Sequence, residues 1–245
     1  MSYTGFVKPI INSYPFLNCN NHPKILEIGI DKGQSTLPII QNLSSRFENF
    51  LYYGIDVLLR SQTYESILQF HNISVSPPDE NAGRDVILSE ENSLNWLAKN
   101  QNPQHKFDII FLDGDHNYHT VSNELKLLQG LIHPQSIIVC DDFNGRHAFK
   151  DSFYGEREEY KNVKKATRKI ESEKQGVQTA VKDFVQENPN WMGFQWDDLE
   201  PCLLYRGDVW EEVNAPNQTP DGKRMKMRDI HFNFNLQKNP FIGLW

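Results

Sequence analysis

Two acidic clusters carry the clearest chemistry in this chain. One is Asp113-Gly114-Asp115-His116-Asn117-Tyr118 and the other is Asp141-Asp142-Phe143-Asn144, and each follows directly on an apolar run. Carboxylates gathered at neighbouring strand ends repel one another and raise each other's pKa. A hard divalent cation relieves that repulsion, and oxygen ligands select Mg²⁺ or a similar ion. Asp113, Asp141 and Asp142 are the candidate metal ligands. The competing reading is that one or two of them cap the following helices while Asp115 faces solvent. His116 beside the first cluster has the right ordinary pKa to take a proton from a hydroxyl, and His147 in Asn144-Gly145-Arg146-His147 is a second candidate base. For His116 the plainer role is a helix-start residue bonded to a neighbouring carboxylate. The candidate catalytic set is thus Asp113, His116 and His147, and Asp113 is also a candidate cofactor-binding residue.

A second constellation lies near the start. In Lys24-Ile25-Leu26-Glu27-Ile28-Gly29-Ile30-Asp31-Lys32-Gly33-Gln34-Ser35-Thr36 an apolar run passes an acid and two glycines four positions apart, then enters a helical pattern. Glycine allows positive φ and close backbone approach, and the new helix aims its free N–H groups over the turn. Glu27, Gly29, Gly33 and Ser35 are therefore candidates to cradle an amino-acid-bearing nucleotide cofactor, against a turn that needs glycine only for packing. Asp56 ends the next apolar run about 25 residues on, where an acid can hold both ribose hydroxyls or cap a helix. Asn92 and Ser93, after a third run, could read an adenine edge or cap the helix they precede.

Strands and helices must alternate to bring these residues together. The strand candidates are Ile25–Ile28, Leu51–Ile55, Val86–Leu88, Phe107–Leu112, Ser136–Cys140 and Cys202–Tyr205. Phe107–Leu112 is almost wholly apolar, as a central parallel strand buried on both faces must be. Leu37, Ile40 and Leu43, then Tyr64, Ile67 and Leu68, then Val121, Leu125 and Leu128 recur at helical spacing between them. Gly130 and Pro134 mark a helix stop before Ser136. The pattern is α/β. Residues 1–23 read as an N-terminal cap segment over the core or the substrate entrance. Residues 24–207 form the domain, with a charged insert over about 143–175, and 208–245 form an extension bearing Phe232, Phe234, Phe241 and Trp245.

Bulk composition narrows the classes. The 245 residues carry a net charge of −7 and a 38% hydrophobic fraction, ordinary for a globular protein and unlike the basic face that nucleic acid needs. The three cysteines, Cys19, Cys140 and Cys202, lack Cys-x-x-Cys spacing, which argues against a disulfide framework or a zinc site. No signal peptide and no apolar run of about 20 residues is visible, so a cytoplasmic protein without a membrane span is expected.

Together, the Glu27–Thr36 block, Asp56, Asp113–Tyr118 and Asp141-Asp142 resemble class I S-adenosylmethionine-dependent methyltransferases. The Asp-Gly-Asp-His-x-Tyr signature is similar to the branch that includes the macrocin-type sugar O-methyltransferases, and Gly176–Phe184 resembles the helix after that branch's fifth strand. The likeness covers roughly residues 20–206. It implies a Rossmann-like, mostly parallel seven-stranded sheet in the order 3-2-1-4-5-7-6, with helices on both faces. The last strand would be antiparallel, with Trp191–Trp196 and Cys202–Tyr205 as a final hairpin. It also implies S-adenosylmethionine as cofactor, with Glu27, Gly29 and Gly33 at its methionine part, Asp56 on the ribose, and Asn92 and Ser93 near adenine. Asp113, Asp141 and Asp142 would hold Mg²⁺. The implied reaction is methyl transfer to a hydroxyl of a small molecule or sugar; a homo-oligomer is compatible with the sequence. Asp31-Lys32 and Asn92 depart from the usual pattern, and the insert and tail would shape the acceptor pocket. The alternatives are an RNA methyltransferase, a nicotinamide-dependent oxidoreductase, which the missing Gly-x-Gly-x-x-Gly opposes, and a non-catalytic nucleoside-binding protein.

Overall fold

The structure is a computed structural model that describes residues 4–14, 17, 22–69, 84–101, 106–195 and 200–210. Seven strands form one sheet: β1 (Lys24–Ile28), β2 (Phe50–Asp56), β3 (Arg84–Glu90), β4 (Phe107–Leu112), β5 (Ile132–Cys140), β6 (Trp191–Gln195) and β7 (Cys202–Arg206). Their order is β3-β2-β1-β4-β5-β7-β6. The first five strands pair in parallel, and β7 runs antiparallel to both β5 and β6. This is a Rossmann-like arrangement, in which the strand order reverses between β1 and β4 and opens a crevice beyond the carboxyl ends of the strands. Trp196, Cys19 and the aromatic tail lie outside the described residues.

The α-helices are α1 (Thr4–Ser13), α2 (Thr36–Arg46), α3 (Ser61–Leu68), α4 (Ser93–Lys99), α5 (Tyr118–Leu128), α6 (Val177–Glu187) and α7 (Gly207–Trp210), and short 3-10 turns occupy Gln129–Leu131, Tyr154–Glu156 and Glu158–Tyr160. The central strands alternate sides, as strand geometry requires. Ile25, Ile109, Phe111, Ile137 and Val139 pack on one face with Ile10 and Ile11 of α1 and Ile39 and Leu43 of α2. Leu26, Ile28, Ile110, Leu112 and Ile138 pack on the other face with Leu97 of α4, Leu125 of α5 and Phe184 of α6. The N-terminal segment is part of this core rather than an ornament, because Val7, Ile10, Ile11, Tyr14 and Leu17 are all at most 1% exposed.

β5 differs from its sequence expectation. It starts at Ile132, not Ser136, and its pairing with β4 jumps from Phe107↔Ile132 to Ile109↔Ile137. Pro134 cannot donate to a ladder and sits inside this irregularity, where a proline is tolerated. Ser136 closes it, donating to the Phe107 carbonyl at 2.6 Å and accepting from the His133 N–H at 2.9 Å. Asp108, the polar residue of β4, is buried because it accepts the Lys24 N–H at 2.7 Å and lies 3.1 Å from His133 Nε2.

Register is what builds the site. Ile28 lies opposite both Ile55 and Leu112, and Leu112 lies opposite Cys140. The next residues, Gly29, Asp56, Asp113 and Asp141, therefore leave the sheet in one row along one edge.

Candidate functional site

The turn after β1 runs through three residues of positive φ: Gly29 at 96°, Asp31 at 42° and Gly33 at 74°. A Cβ on Gly29 would stand 2.1 Å from the Asp113 carbonyl oxygen, so the turns after β1 and β4 approach too closely for any side chain there. A Cβ on Gly33 would meet the Thr63 side chain of α3 at 2.7 Å. Asp56 holds the turn from the next strand. Its Oδ2 accepts the Ile30 and Asp31 N–H groups at 2.8 and 2.9 Å, and its Oδ1 accepts the Leu58 N–H. Burial raises its pKa, against these hydrogen bonds.

Glu27 and Ser35, read as cofactor contacts, are placed differently. Glu27 is fully buried and accepts hydrogen bonds from Ser35 Oγ, from Thr36 Oγ1 at 2.6 Å and from Tyr52 OH. Burial pushes its carboxyl up to about 7 despite the three donors. The acid and the serine are turned toward each other beneath the turn, tying β1 to the start of α2 and to β2. The sequence shows the acid and the hydroxyls but not which way they point.

A cleft opens at the ends of β1 to β4. Gly29, Asp56, Asn92 and Ser93 line it, together with Val57, Glu91, Gly114 and Asp115. Gly33 and Asp113 are not among its lining residues. Asn92 serves both readings, since its Oδ1 caps α4 by accepting the Leu94 and Asn95 N–H groups while the residue also faces the cleft. Asp115 does not face solvent; it accepts the Tyr154 N–H at 2.7 Å, and burial holds its carboxyl up at about 6. Tyr154, Ala166 and Thr167 complete the cleft. They lie in the insert, whose polar sequence carries no signal for this.

Beside the cleft stand the acids and histidines. Asn117 caps α5 by accepting the Thr120 N–H at 2.8 Å, which leaves Asp113 without a capping task. Ligand atoms of Asp113, His116 and Asp141 lie within 4.8 Å of one another. Asp142 joins through the histidines, 3.4 Å from His116 Nδ1 and 3.9 Å from His147 Nε2. Burial, then the Asp141 and Asp142 charges, raise Asp113, and burial lifts Asp141 to about 6 against its hydrogen bond with Asp113, so the pair holds a proton more readily than ordinary carboxylates. Burial, with His147, Arg157 and Arg146 nearby, lowers His116 to about 3, and burial lowers His147 as well. Both imidazoles are neutral at neutral pH. The His116 and His147 rings stack with centroids 5.5 Å apart, and His147 Nε2 has no hydrogen-bond partner. One buried oxygen, Asp141 Oδ1, also lacks a partner. A buried acceptor left unpaired is costly, and a bound cation would satisfy it. The donor set of carboxylate oxygens with an imidazole therefore fits a divalent ion.

The insert is fastened to this mouth. The Ser152 N–H donates to the His116 carbonyl at 2.8 Å, and Asp151 Oδ1 accepts both the Tyr118 and the Gly176 N–H groups at 2.8 Å. Asp142 has a positive φ of 55°, and a Cβ on Gly145 would collide with its Oδ1. The loop after β5 is thus shaped to hold Asp142 where it stands.

Comparison with known proteins agrees with this geometry. Residues 26–143 match the family model of a methyltransferase domain. A structure of a candidate O-methyltransferase from Klebsiella pneumoniae is 16% identical, with a TM-score of 0.50 over 84% of this chain and 81% of that one. The structure of CalS11, a TDP-rhamnose 3'-O-methyltransferase of calicheamicin biosynthesis, is 13% identical, with a TM-score of 0.50 over 83% of this chain and 80% of that one. Both share the fold. No curated protein matches the sequence.

Proposed function

We propose that this chain, whose residues 26–143 match the model of a methyltransferase domain, moves a methyl group from S-adenosylmethionine to a hydroxyl oxygen of a small molecule or sugar, with Mg²⁺ assisting. One observation carries the reading: a cleft and a cluster of carboxylates and imidazoles share one sheet edge, set side by side by strand register. S-adenosylmethionine supplies a sulfonium methyl already activated for displacement, so the chain's main task is alignment. Asp56, Asn92 and Ser93 would hold the nucleoside end, and Gly29 lets the backbone come close to it. Asp113, Asp141 and Asp142 would hold Mg²⁺, a Lewis acid that lowers the pKa of a hydroxyl bound to it. His116 and His147 are neutral and can receive the hydroxyl proton on a ring nitrogen. Neither ring nitrogen of His147 has a hydrogen-bond partner. An oxygen acceptor suits a mouth built from carboxylates and imidazoles, and CalS11, which shares the fold, methylates a sugar oxygen.

Calorimetric titration of S-adenosylhomocysteine, with and without Mg²⁺, tests this. Micromolar binding is expected. Asp142→Ala is expected to abolish turnover and the Mg²⁺ signal while leaving S-adenosylhomocysteine affinity within about threefold. Parallel loss of nucleoside affinity would overturn the separation of donor and metal roles, and absence of nucleoside binding in wild type would overturn the reading itself.

A further inference from the structure

The outer wall of the cleft is made by residues past position 143. Tyr154, Ala166 and Thr167 line it, and all three belong to the insert expected to shape the acceptor pocket. We propose that the segment 153–168 is part of the donor site, a wall over its nucleoside end in which Ala166 and Thr167 determine what fits. This rests on the donor reading given above.

The fastenings carry the argument, because they fall on the loops that follow β1, β2, β3 and β4. Asp115, after β4, accepts the Tyr154 N–H at 2.7 Å and is also hydrogen-bonded by the Thr167 side chain. Asn92, after β3, donates through Nδ2 to the Lys165 carbonyl at 3.0 Å and to Thr167 Oγ1 at 3.2 Å. Arg60, after β2, binds Asp31 of the glycine turn at 2.6 Å and reaches Glu159 of the segment at 3.4 Å. The segment closes on itself where the Gly155 N–H meets the Thr167 carbonyl at 3.1 Å. Thr167 therefore sits at a junction, touching Asn92 and Asp115, two of the polar residues that line the cleft. Ala166 is buried against that end, where a larger side chain would fill the space.

The strength of these ties matters as much as their position. The Arg60–Glu159 and Lys165–Glu90 pairs are at the surface, and such pairs hold weakly. A wall tied by a few hydrogen bonds and weak surface pairs opens to admit a nucleoside and is steadied by one once it is inside.

Trypsin offers a direct test on the wild-type protein. Lys161, Lys164, Lys165, Arg168 and Lys169 are exposed cleavage points on or beside the segment. Saturating S-adenosylhomocysteine is expected to slow cleavage there at least fivefold. Ala166→Trp is expected to weaken S-adenosylhomocysteine at least tenfold by calorimetry, and Thr167→Val to raise its dissociation rate several-fold. Should Ala166→Trp fail to fold, trypsin protection and Thr167→Val decide. The proposal is overturned if S-adenosylhomocysteine binds wild type yet leaves these cleavage rates unchanged, and Thr167→Val releases it at the wild-type rate. If wild type binds no S-adenosylhomocysteine at all, the donor reading fails and takes this wall with it.

Discussion

At the scale of single residues, two acids of neighbouring strands do different work. Asp56 borders the cleft but already receives three backbone N–H groups, so it shapes the glycine turn as well as facing the ligand. Asp56→Ala is expected to weaken S-adenosylhomocysteine at least tenfold, about 1.4 kcal/mol. It should also lower Tm, because the Ile30 and Asp31 amides lose their acceptor. An unchanged Kd would remove Asp56 from the donor site. Glu27 acts on stability instead. Its carboxyl lies near 7 in the fold against an ordinary 4.5. Between those values the folded chain binds the proton that the unfolded chain has released, so stability falls as pH rises from about 4.5 to 7 and levels off above. Glu27→Gln removes the titration, and the Tm difference between pH 5 and pH 8 should shrink relative to wild type. An equal pH slope in both proteins would refute a raised Glu27.

Among the elements, the glycine turn is the least tolerant. Gly29 combines a φ of 96° with a backbone contact that leaves no room for a Cβ. Gly29→Ala should cost about 2 kcal/mol or more, from strain at positive φ added to the collision with the Asp113 carbonyl. For a chain of this size that corresponds to a Tm lowered by roughly 4–8 °C. A Tm within 1 °C of wild type would show that the two turns can part. Much at this scale was legible in advance. The apolar runs locate β1, β2, β4 and β7 to within a residue or two, because central strands buried on both faces must be continuous in hydrophobicity. β5 was less legible, since a proline and polar residues open it and only the bulge closed by Ser136 explains them. Site residues divide in the same way. Asp56, Asn92 and Ser93 are marked by following strands, and register delivers them to the cleft. Tyr154, Ala166 and Thr167 arrive through a long loop whose path no periodicity encodes, and the inward turn of Glu27 depends on hydroxyls contributed by three separate positions.

Across the whole molecule, the sheet is covered on both faces only if its first residues are present. Five fully buried apolar side chains come from the segment ending at Leu17, and Tyr14 OH donates to the Gln135 carbonyl at 2.7 Å. Each such side chain contributes about 1.5–3 kcal/mol as an upper estimate. Their sum rivals the whole net stability of an ordinary domain, about 5–15 kcal/mol. Removing residues 1–17 is therefore expected to leave no cooperatively folded protein, as read by circular dichroism and sedimentation. A truncated chain melting within a few degrees of wild type would contradict this. The same segment also sets a timetable. Its helix is made before the sheet it helps to cover, yet it shares one cluster with Phe194, Leu203 and Tyr205. At about 5–20 residues per second, roughly 10–40 s separate the making of that helix from the making of its last partners. Through that interval the nascent chain carries an apolar helix with an unfinished berth, so whatever shields it on the ribosome governs how much protein a cell recovers.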